Sequence, residues 1–148
     1  MSSEALTRFV LEIERTQAQL AADSDRLLAE LGLTTARWRV LQALNAAGKP
    51  RTVAQLARDL GVARQGVQRL ADELAASGHI GYVPNPDHAR AKLAEMTERG
   101  RNAAAEALQR KAFQAEALAQ GLSPEWLEIG TELARLVARR SAKAAIPR

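Results

Sequence analysis

Four side chains that can hydrogen bond to nucleic-acid bases lie close together in the stretch VARQGVQRLADEL, residues 62–74. They are Arg64, Gln65, Gln68 and Arg69, and no acidic residue precedes Asp72 in this stretch. Arginine can bind guanine through two hydrogen bonds, and glutamine can bind adenine in the same way. A solvated helix face usually mixes charge signs. The composition therefore favours a surface that contacts base edges over an exposed face that is basic by chance.

The residues around this face have the spacing of a helix-turn-helix. Residues 53–74 read VAQLARDLGVARQGVQRLADEL, in which two short helical stretches flank Gly61. Glycine permits a left-handed turn between the helices, and the small Ala57 lets them approach each other. Val67, Leu70 and Leu74 are expected to bury the inner face of the second helix. Its N-terminal half is then free to enter a major groove.

Helix-start signals and apolar periodicity predict the elements that precede this motif. Apolar residues at alternating steps of four and three predict a first helix over about 4–30. Thr34 or Thr35 caps a second helix. Thr52 and Gln55 form a T-x-x-Q capping box that opens the third helix, the first of the helix-turn-helix pair.

A strand, a turn and two more helices follow the motif. Residues 80–83 favour a short strand, and the cluster PNPD at 84–87 predicts a turn. The return stretch, AKLAEM, consists mostly of helix-forming residues, and its pattern alone does not predict a strand. Thr97 caps a long helix that runs to Gly121, and Ser123-Pro124 starts the last helix.

The composition is typical of a mainly α-helical protein. Hydrophobic residues make up 47% of the 148 residues, but aromatic residues only 3%. Much of the hydrophobic content is alanine, a strong helix former. The net charge of +4 permits nucleic-acid binding. No apolar run is long enough to span a membrane, and the N-terminus lacks the pattern of a signal peptide. A cytoplasmic location fits these features and the absence of cysteine.

The sequence provides no arrangement that is typical of an enzyme or a cofactor site. The lack of cysteine excludes thiol chemistry and thiolate metal sites. His79 and His88 are accompanied by no cluster of acids, so neither a metal nor another cofactor is predicted. No nucleophile elbow and no phosphate-binding glycine loop occur. Trp38 and Trp126 fall on apolar helix faces, which predicts packing in the core or in a dimer.

Three stretches resemble the multiple-antibiotic-resistance regulator (MarR) family of winged-helix repressors. They read LTTARWRVLQAL, LARDLGVARQGVQRLADELAASGHI and NPDHARAKLAEMTERG. The resemblance implies a mainly α-helical winged helix-turn-helix with a small β-hairpin wing, of which AKLAEM contains the second strand. It implies a single domain over 1–148, with a DNA-binding part over 33–99 and long dimerisation helices over 1–32 and 100–148.

The resemblance also assigns roles to residues of the wing. Arg90 matches the family's arginine that enters the minor groove, and Asp87 matches the acid that steadies the wing loop. Ala89 departs from the pattern, because many relatives have another arginine at this position, and this departure predicts a weaker wing contact. Without the resemblance, Asp87 and Arg90 would be interpreted as parts of a solvated turn.

Helix starts predict the phosphate contacts, because their backbone N–H groups are free to face outward. Thr34 and Thr35 begin the second helix, and Arg51 and Thr52 begin the third. Arg37 is a further candidate. The alternatives are that each threonine is only a helix cap and that Arg37 is a partner in a surface ion pair.

The resemblance further implies a pocket for phenolic or other lipophilic anions between the dimerisation helices and the DNA-binding part. Phe9, Arg37 and Trp38 are the residues proposed to line it. Binding of such an effector would disfavour the spacing of the two heads that fits DNA, through a shift in population.

These observations predict a homodimeric transcription regulator, a repressor rather than an activator, which binds double-stranded DNA. Two-fold symmetry predicts a pseudo-palindromic operator with half-sites roughly 10 base pairs apart. One alternative is a winged-helix module that binds proteins instead of DNA, against which the bare basic helix start at Arg64 and Arg69 argues. The other is a small enzyme, which no residues at catalytic spacing support.

Overall fold

The computed structural model describes residues 2–143 and is mainly α-helical, as the sequence predicts. A first compact unit ends at Ala112 and a second starts at Phe113. The elements are α1 (Ser2–Leu28), a 3-10 turn (Ala29–Leu31), α2 (Thr35–Ala47), β1 (Arg51–Thr52), α3 (Val53–Leu60), α4 (Arg64–Ala76), β2 (Ile80–Val83), β3 (Leu93–Met96), α5 (Glu98–Ala119) and α6 (Pro124–Lys143).

α3 and α4 form a helix-turn-helix, and local hydrogen bonds set where α3 begins. The Thr52 hydroxyl accepts from the Gln55 backbone N–H at 3.2 Å, and the Gln55 side chain accepts from the Thr52 N–H at 2.9 Å. Both bonds of the predicted capping box are therefore present. Gly61 ends α3 with a φ of 66°, a left-handed conformation that glycine adopts without strain. Val67 and Leu74 bury one face of α4 against the core.

The sheet has three antiparallel strands, one more than the predicted hairpin. β2 and β3 pair with Ile80 opposite Met96. β1 joins the free edge of β3 with Arg51 opposite Ala94, which gives the order β1-β3-β2. β1 is two residues long and runs directly into the cap of α3. A segment this short has no periodicity, so the sequence could not indicate it.

Aliphatic side chains from the first unit build the core. Leu28, Leu41, Leu56 and Leu74 come from α1, α2, α3 and α4 in turn, and each is fully buried. Full burial of a leucine stabilises a fold by roughly 1.5–3 kcal/mol relative to exposure. Trp38 on α2 is also buried, which confirms the packing role predicted for it. The core thus fixes α4 and leaves its opposite face for other contacts.

A buried histidine joins the end of the 3-10 turn to the end of α4. His79 is 1% exposed, and its Nε2 lies 3.0 Å from the Leu31 carbonyl oxygen. A carbonyl only accepts, so Nε2 carries the hydrogen, and Nδ1 of the neutral ring can accept from the Ser77 hydroxyl at 2.8 Å. Burial lowers the pKa of His79, the bond to Leu31 raises it, and Arg99 and Arg37 lower it further.

Acidification is expected to destabilise the protein through His79. Because its pKa in the folded state lies below the unfolded value of 6.5, the neutral ring stabilises the fold above about pH 6.5, and this contribution is lost as the pH falls through the folded pKa. The free energy of unfolding in urea should fall between pH 7 and pH 5, by at most about 1.4 kcal/mol per pH unit for one proton. His79→Gln should flatten this dependence. His88→Gln, at an exposed position, should keep it; equal slopes for the wild type and His79→Gln would contradict the assignment.

The second unit carries large apolar side chains on its surface. Trp126 of α6 is 71% exposed and Ile129 is 66% exposed. Trp126 is therefore not part of the core of the described chain. Within residues 2–143, no helix combines the length and the apolarity that crossing a membrane requires. An exposed apolar stripe on a helix is typical of a surface that another protein chain covers.

Candidate nucleic-acid interface

The four predicted base-contacting residues lie on the solvent side of α4. Arg64, Gln65 and Arg69 are exposed, and Gln68 is half-buried. Among residues 2–143, no acidic side chain pairs with Arg64 or Arg69. Cations without an acidic neighbour are free to contact phosphates or base edges. The structure therefore brings the four residues together on the helix that the sequence assigned to them.

The first turn of α4 has no side-chain cap, in contrast to α2 and α3. Its N-cap residue is Ala63, and the turn contains no acid. In α2, by comparison, the Thr34 side chain accepts from a backbone N–H of the first turn. Uncapped N–H groups and the helix dipole give a helix start a partial positive charge that attracts anions. A phosphate could thus bind at the start of α4, beside Arg64.

Gln68 is held by a hydrogen-bond network that the sequence analysis missed. Its Nε2 donates to Asp72 Oδ1 at 2.9 Å and to the Tyr82 hydroxyl oxygen at 3.3 Å. The Tyr82 hydroxyl in turn donates to Asp72 Oδ1 at 2.9 Å. The spacing of four residues between Gln68 and Asp72 is a signal for the first bond. Nothing in the sequence indicates that Tyr82 of β2 reaches α4.

The Tyr82 hydroxyl keeps its proton throughout the physiological pH range. Burial, followed by the hydrogen bond to Asp72 and the charge of that carboxylate, raises the pKa of Tyr82 to about 12. The phenol therefore remains a donor to Asp72 near neutral pH.

The threonines predicted to contact phosphate all have partners inside the protein. Thr34 and Thr52 cap α2 and α3. The Thr35 backbone N–H donates to Asp25 at 2.7 Å, and its hydroxyl donates to Ser24 at 2.7 Å. The hydrogen bonds from Thr35 lower the pKa of Asp25, and the more distant Lys111 adds to the effect. Each of these threonines therefore has a structural role. A phosphate contact at the same residues stays a prediction.

The two arginines predicted to contact phosphate also have internal partners. Arg37 Nη2 lies 2.9 Å from Glu73 Oε2, and its Nε donates to the same oxygen at 3.0 Å, which ties α2 to α4. Arg51 Nη2 lies 3.8 Å from Asp59 Oδ2, whereas its buried Nε has no partner among the described residues. Arg37 therefore takes the ion-pair role that the sequence left open as an alternative.

The wing residues are exposed in the turn between β2 and β3. The side chain of Asn85 accepts from the Asp87 backbone N–H at 3.0 Å and so closes the first part of this turn. Asp87 and Arg90 are both exposed, and their side chains bind to no other part of the described chain. Arg90 is therefore free to reach a groove. The sequence predicted that Asp87 steadies the loop. In the structure, the bond between its backbone N–H and the Asn85 side chain does so, and the Asp87 carboxylate takes no part.

The proposed pocket residues do not come together within one chain. Lys111 Nζ lies 5.8 Å from the centre of the Trp38 ring and donates to Ser24 of α1 at 2.8 Å, so Trp38 lies near Ser24. Phe9 precedes Ser24 by fifteen residues of the same helix, a separation of roughly 22 Å. Arg37 is engaged with Glu73. A pocket that includes Phe9 and Trp38 cannot form from these side chains in one copy.

A separate cavity of about 760 Å³ opens between α2, α3 and α5. Arg39, Arg51 and Arg101 line it together with one acid, Asp59, which lies 3.8 Å from Arg51, and with apolar side chains that include Leu60 and Leu108. Basic and apolar groups in one cavity suit an anion that has a lipophilic body. The sequence analysis missed this cavity, because its residues come from helices that are distant in the chain.

Comparisons with known proteins identify the family of this chain. The family model described as MarR family matches residues 31–91, which include α2, the helix-turn-helix and most of the wing. An uncharacterized protein of Mycobacterium tuberculosis strain H37Rv is 33% identical over 126 residues, which cover 85% of this chain and 87% of the relative. The chain belongs to the MarR family. The transcriptional activatory protein BadR of Rhodopseudomonas palustris is 32% identical over 101 residues, covering 67% of this chain and 58% of BadR.

Solved structures of MarR regulators share the fold. The MarR family transcription regulator SP03579 superposes with a TM-score of 0.87 at 22% identity, covering 99% of this chain and 97% of that one. The transcriptional repressor CouR, solved with a 23-mer DNA duplex, superposes with a TM-score of 0.74 at 24% identity, covering 86% of this chain and 89% of CouR. The predicted winged-helix fold is confirmed. Members of the MarR family are transcription regulators and not enzymes.

Proposed function

We propose that this MarR-family protein is a sequence-specific DNA-binding transcription regulator that inserts α4 into the major groove. The proposal rests on the exposed start of α4. No acidic side chain of the described residues pairs with Arg64 or Arg69 there, and no side chain caps the first turn. A helix that packed against another part of the protein would bury this face or neutralise its charge. The complex of CouR with duplex DNA supports the same role for the fold.

The wing and the starts of the neighbouring helices add contacts to the phosphate backbone. Arg90 enters the minor groove from the turn that the Asn85 side chain and the Asp87 backbone N–H close. Thr34, Thr35, Arg37, Arg51 and Thr52 are proposed to face phosphates. The hydroxyls of Thr34 and Thr52 act as acceptors in the helix caps and can still donate to a phosphate oxygen, whereas the N–H groups of Thr35 and Thr52 already have internal acceptors. The DNA-binding part then spans residues 33–99, as the sequence analysis predicts.

A second copy of the chain is proposed to cover the exposed apolar faces of the terminal helices. Ile13 and Leu20 of α1 are 38% and 44% exposed, and Ile129 of α6 is 66% exposed. A homodimer through residues 1–32 and 100–148 would bury them. Its two-fold axis requires a pseudo-palindromic operator with half-sites roughly 10 base pairs apart. A native mass of twice the 16.0 kDa of one chain is expected.

Repression with release by a small lipophilic anion is the proposed mode of regulation. CouR is a transcriptional repressor, whereas BadR is an activatory protein, so similar proteins include both a repressor and an activator. The arginine-lined cavity beside α3 is a better place for an anion than Phe9 and Trp38, because its basic groups already face one space. An anion bound there could shift the position of α3 and hence of α4. The regulator would act in the cytoplasm, where its operator lies.

Binding to the DNA upstream of the protein's own gene tests the proposed function. A mobility-shift assay should detect a complex that survives an excess of unrelated duplex, and its affinity should fall steeply between 50 and 200 mM salt, by roughly 10³-fold or more for six to ten phosphate contacts. A reporter driven by the same DNA should become less active when the protein is present. A folded dimer that binds no DNA above the unrelated duplex would instead favour the protein-binding module.

A further inference from the structure

The hydrogen-bond network around Gln68 restricts what this side chain can offer to a ligand. A glutamine amide has two N–H donors and one carbonyl acceptor. The amide nitrogen lies inside this network, 2.9 Å from Asp72 Oδ1 and 3.3 Å from the Tyr82 oxygen. The bidentate contact with adenine predicted from the sequence needs one donor and one acceptor from the same amide. The network competes with that contact, because it binds the same amide nitrogen.

The chemistry of the partners fixes which end of the amide faces the protein. The Asp72 carboxylate has only acceptor oxygens, and the single hydrogen of the Tyr82 hydroxyl already points at Asp72. A reversed amide would place the Gln68 carbonyl oxygen against the Asp72 carboxylate and lose the 2.9 Å bond. The nitrogen therefore faces inward.

The carbonyl oxygen of Gln68 consequently faces the solvent side of α4. It has no partner among the described residues, and it is not among their buried polar atoms that lack one. Gln65 and Arg69, which flank it on the helix, are both exposed. The side chain thus presents a single fixed acceptor on the surface proposed to meet the major groove.

We propose that Asp72 and Tyr82 are positioning residues that make Gln68 an obligatory acceptor, so that one base of each half-site must carry an exocyclic amine. This inference rests on the proposed function. In the major groove the exocyclic amine donors are adenine N6 and cytosine N4, whereas guanine and thymine present oxygen acceptors. Guanine or thymine at this position would face the Gln68 oxygen with another oxygen. The network also couples base choice to the wing strand β2, because Tyr82 belongs to it.

Base preferences of variants test this proposal more directly than total affinity does. A library of operators with a randomised half-site, selected on the wild type and on Gln68→Ala, identifies the position that depends on Gln68. There the wild type is expected to prefer adenine or cytosine by about 5-fold to 10-fold, the effect of one hydrogen bond. Asp72→Ala, alone and combined with Tyr82→Phe, frees the amide to turn, whereas Tyr82→Phe alone keeps the 2.9 Å bond to Asp72. Asp72→Ala and the double variant should lower this preference to about 2-fold or less and accept guanine, and Tyr82→Phe should lower it by a smaller factor.

Matched controls separate positioning from folding and from charge. Glu95→Ala removes one acidic charge from an exposed position of β3, as Asp72→Ala does from α4, and should keep the wild-type preference. Tyr82→Phe loses a hydroxyl and little volume, and thermal unfolding checks that the variant folds. Asp72 is exposed, so Asp72→Ala tests the network without disturbing the core. Two outcomes would overturn the proposal: a wild-type preference for guanine or thymine at the Gln68 position, or an unchanged preference in Asp72→Ala and in the double variant.

The same experiment distinguishes this proposal from the proposed function. If the wild type selects no sequence from the library, DNA reading itself fails, and the role of Gln68 fails with it. If the wild type selects an operator through Arg64 and Arg69 but the Gln68 network has no effect on base preference, only the further inference fails.

Discussion

Replacing Arg64 and Arg69 together with alanine should lower operator affinity by about 30-fold or more and leave the fold intact. Each arginine that pairs with a base contributes roughly 1–3 kcal/mol of discrimination, and a loss of about 2 kcal/mol corresponds to about 30-fold in affinity. Both side chains are exposed and have no acidic partner among the described residues. Their removal therefore takes nothing from the core. Fluorescence anisotropy with a labelled operator measures the change, and native mass reports whether the proposed dimer persists.

Two control variants show whether position or total charge matters. Arg8→Ala with Arg15→Ala removes the same charge from exposed positions of α1 and should change affinity little. Arg90→Ala in the wing should weaken binding to all sequences more evenly, because a wing contact carries less base information than a major-groove contact. Operator binding at the wild-type level after loss of both Arg64 and Arg69 would remove α4 from the interface.

Gly100→Ala should destabilise the protein by about 3 kcal/mol or more, which for a chain of this size lowers the melting temperature by about 10 °C. A Cβ built on Gly100 would lie 1.9 Å from the His79 carbonyl oxygen and 2.9 Å from its carbonyl carbon. Both atoms belong to the backbone, so no side-chain rotation relieves the clash. The same carbonyl accepts from the Thr97 backbone N–H at 3.1 Å, so moving it also disturbs the start of α5.

A second glycine provides the matched comparison for this substitution. Gly66 lies inside α4, and a Cβ there meets nothing within 4 Å. Gly66→Ala should stabilise the protein by about 0.5–1 kcal/mol, because alanine loses less conformational freedom in a helix. Urea unfolding of the two variants side by side measures both effects. Similar stability of Gly100→Ala and the wild type would show that His79 and α5 can separate without cost.

Interactions between residues close in the chain could be predicted from the sequence. The capping box of Thr52 and Gln55 is present as the T-x-x-Q spacing indicates, and Thr97 accepts from the Gly100 N–H at the start of α5. The buried side of α4 follows from the period of 3.6 residues, since Val67 and Leu74 are seven residues apart and both fully buried. The exposed basic face of α4 and the mainly α-helical fold class could likewise be predicted from residue type and spacing.

Contacts between distant residues were decided only by the tertiary structure. The bond between Gln68 and Tyr82 spans 14 residues, and the ion pair between Arg37 and Glu73 spans 36. The first engages the amide nitrogen that Gln68 was expected to offer to adenine, and the second gives Arg37 a partner inside the protein. Residue type and spacing specify which groups a helix exposes. Whether such a group stays free depends on which groups of neighbouring elements lie within hydrogen-bond distance, about 3 Å. Those neighbours are determined by how the helices and strands pack.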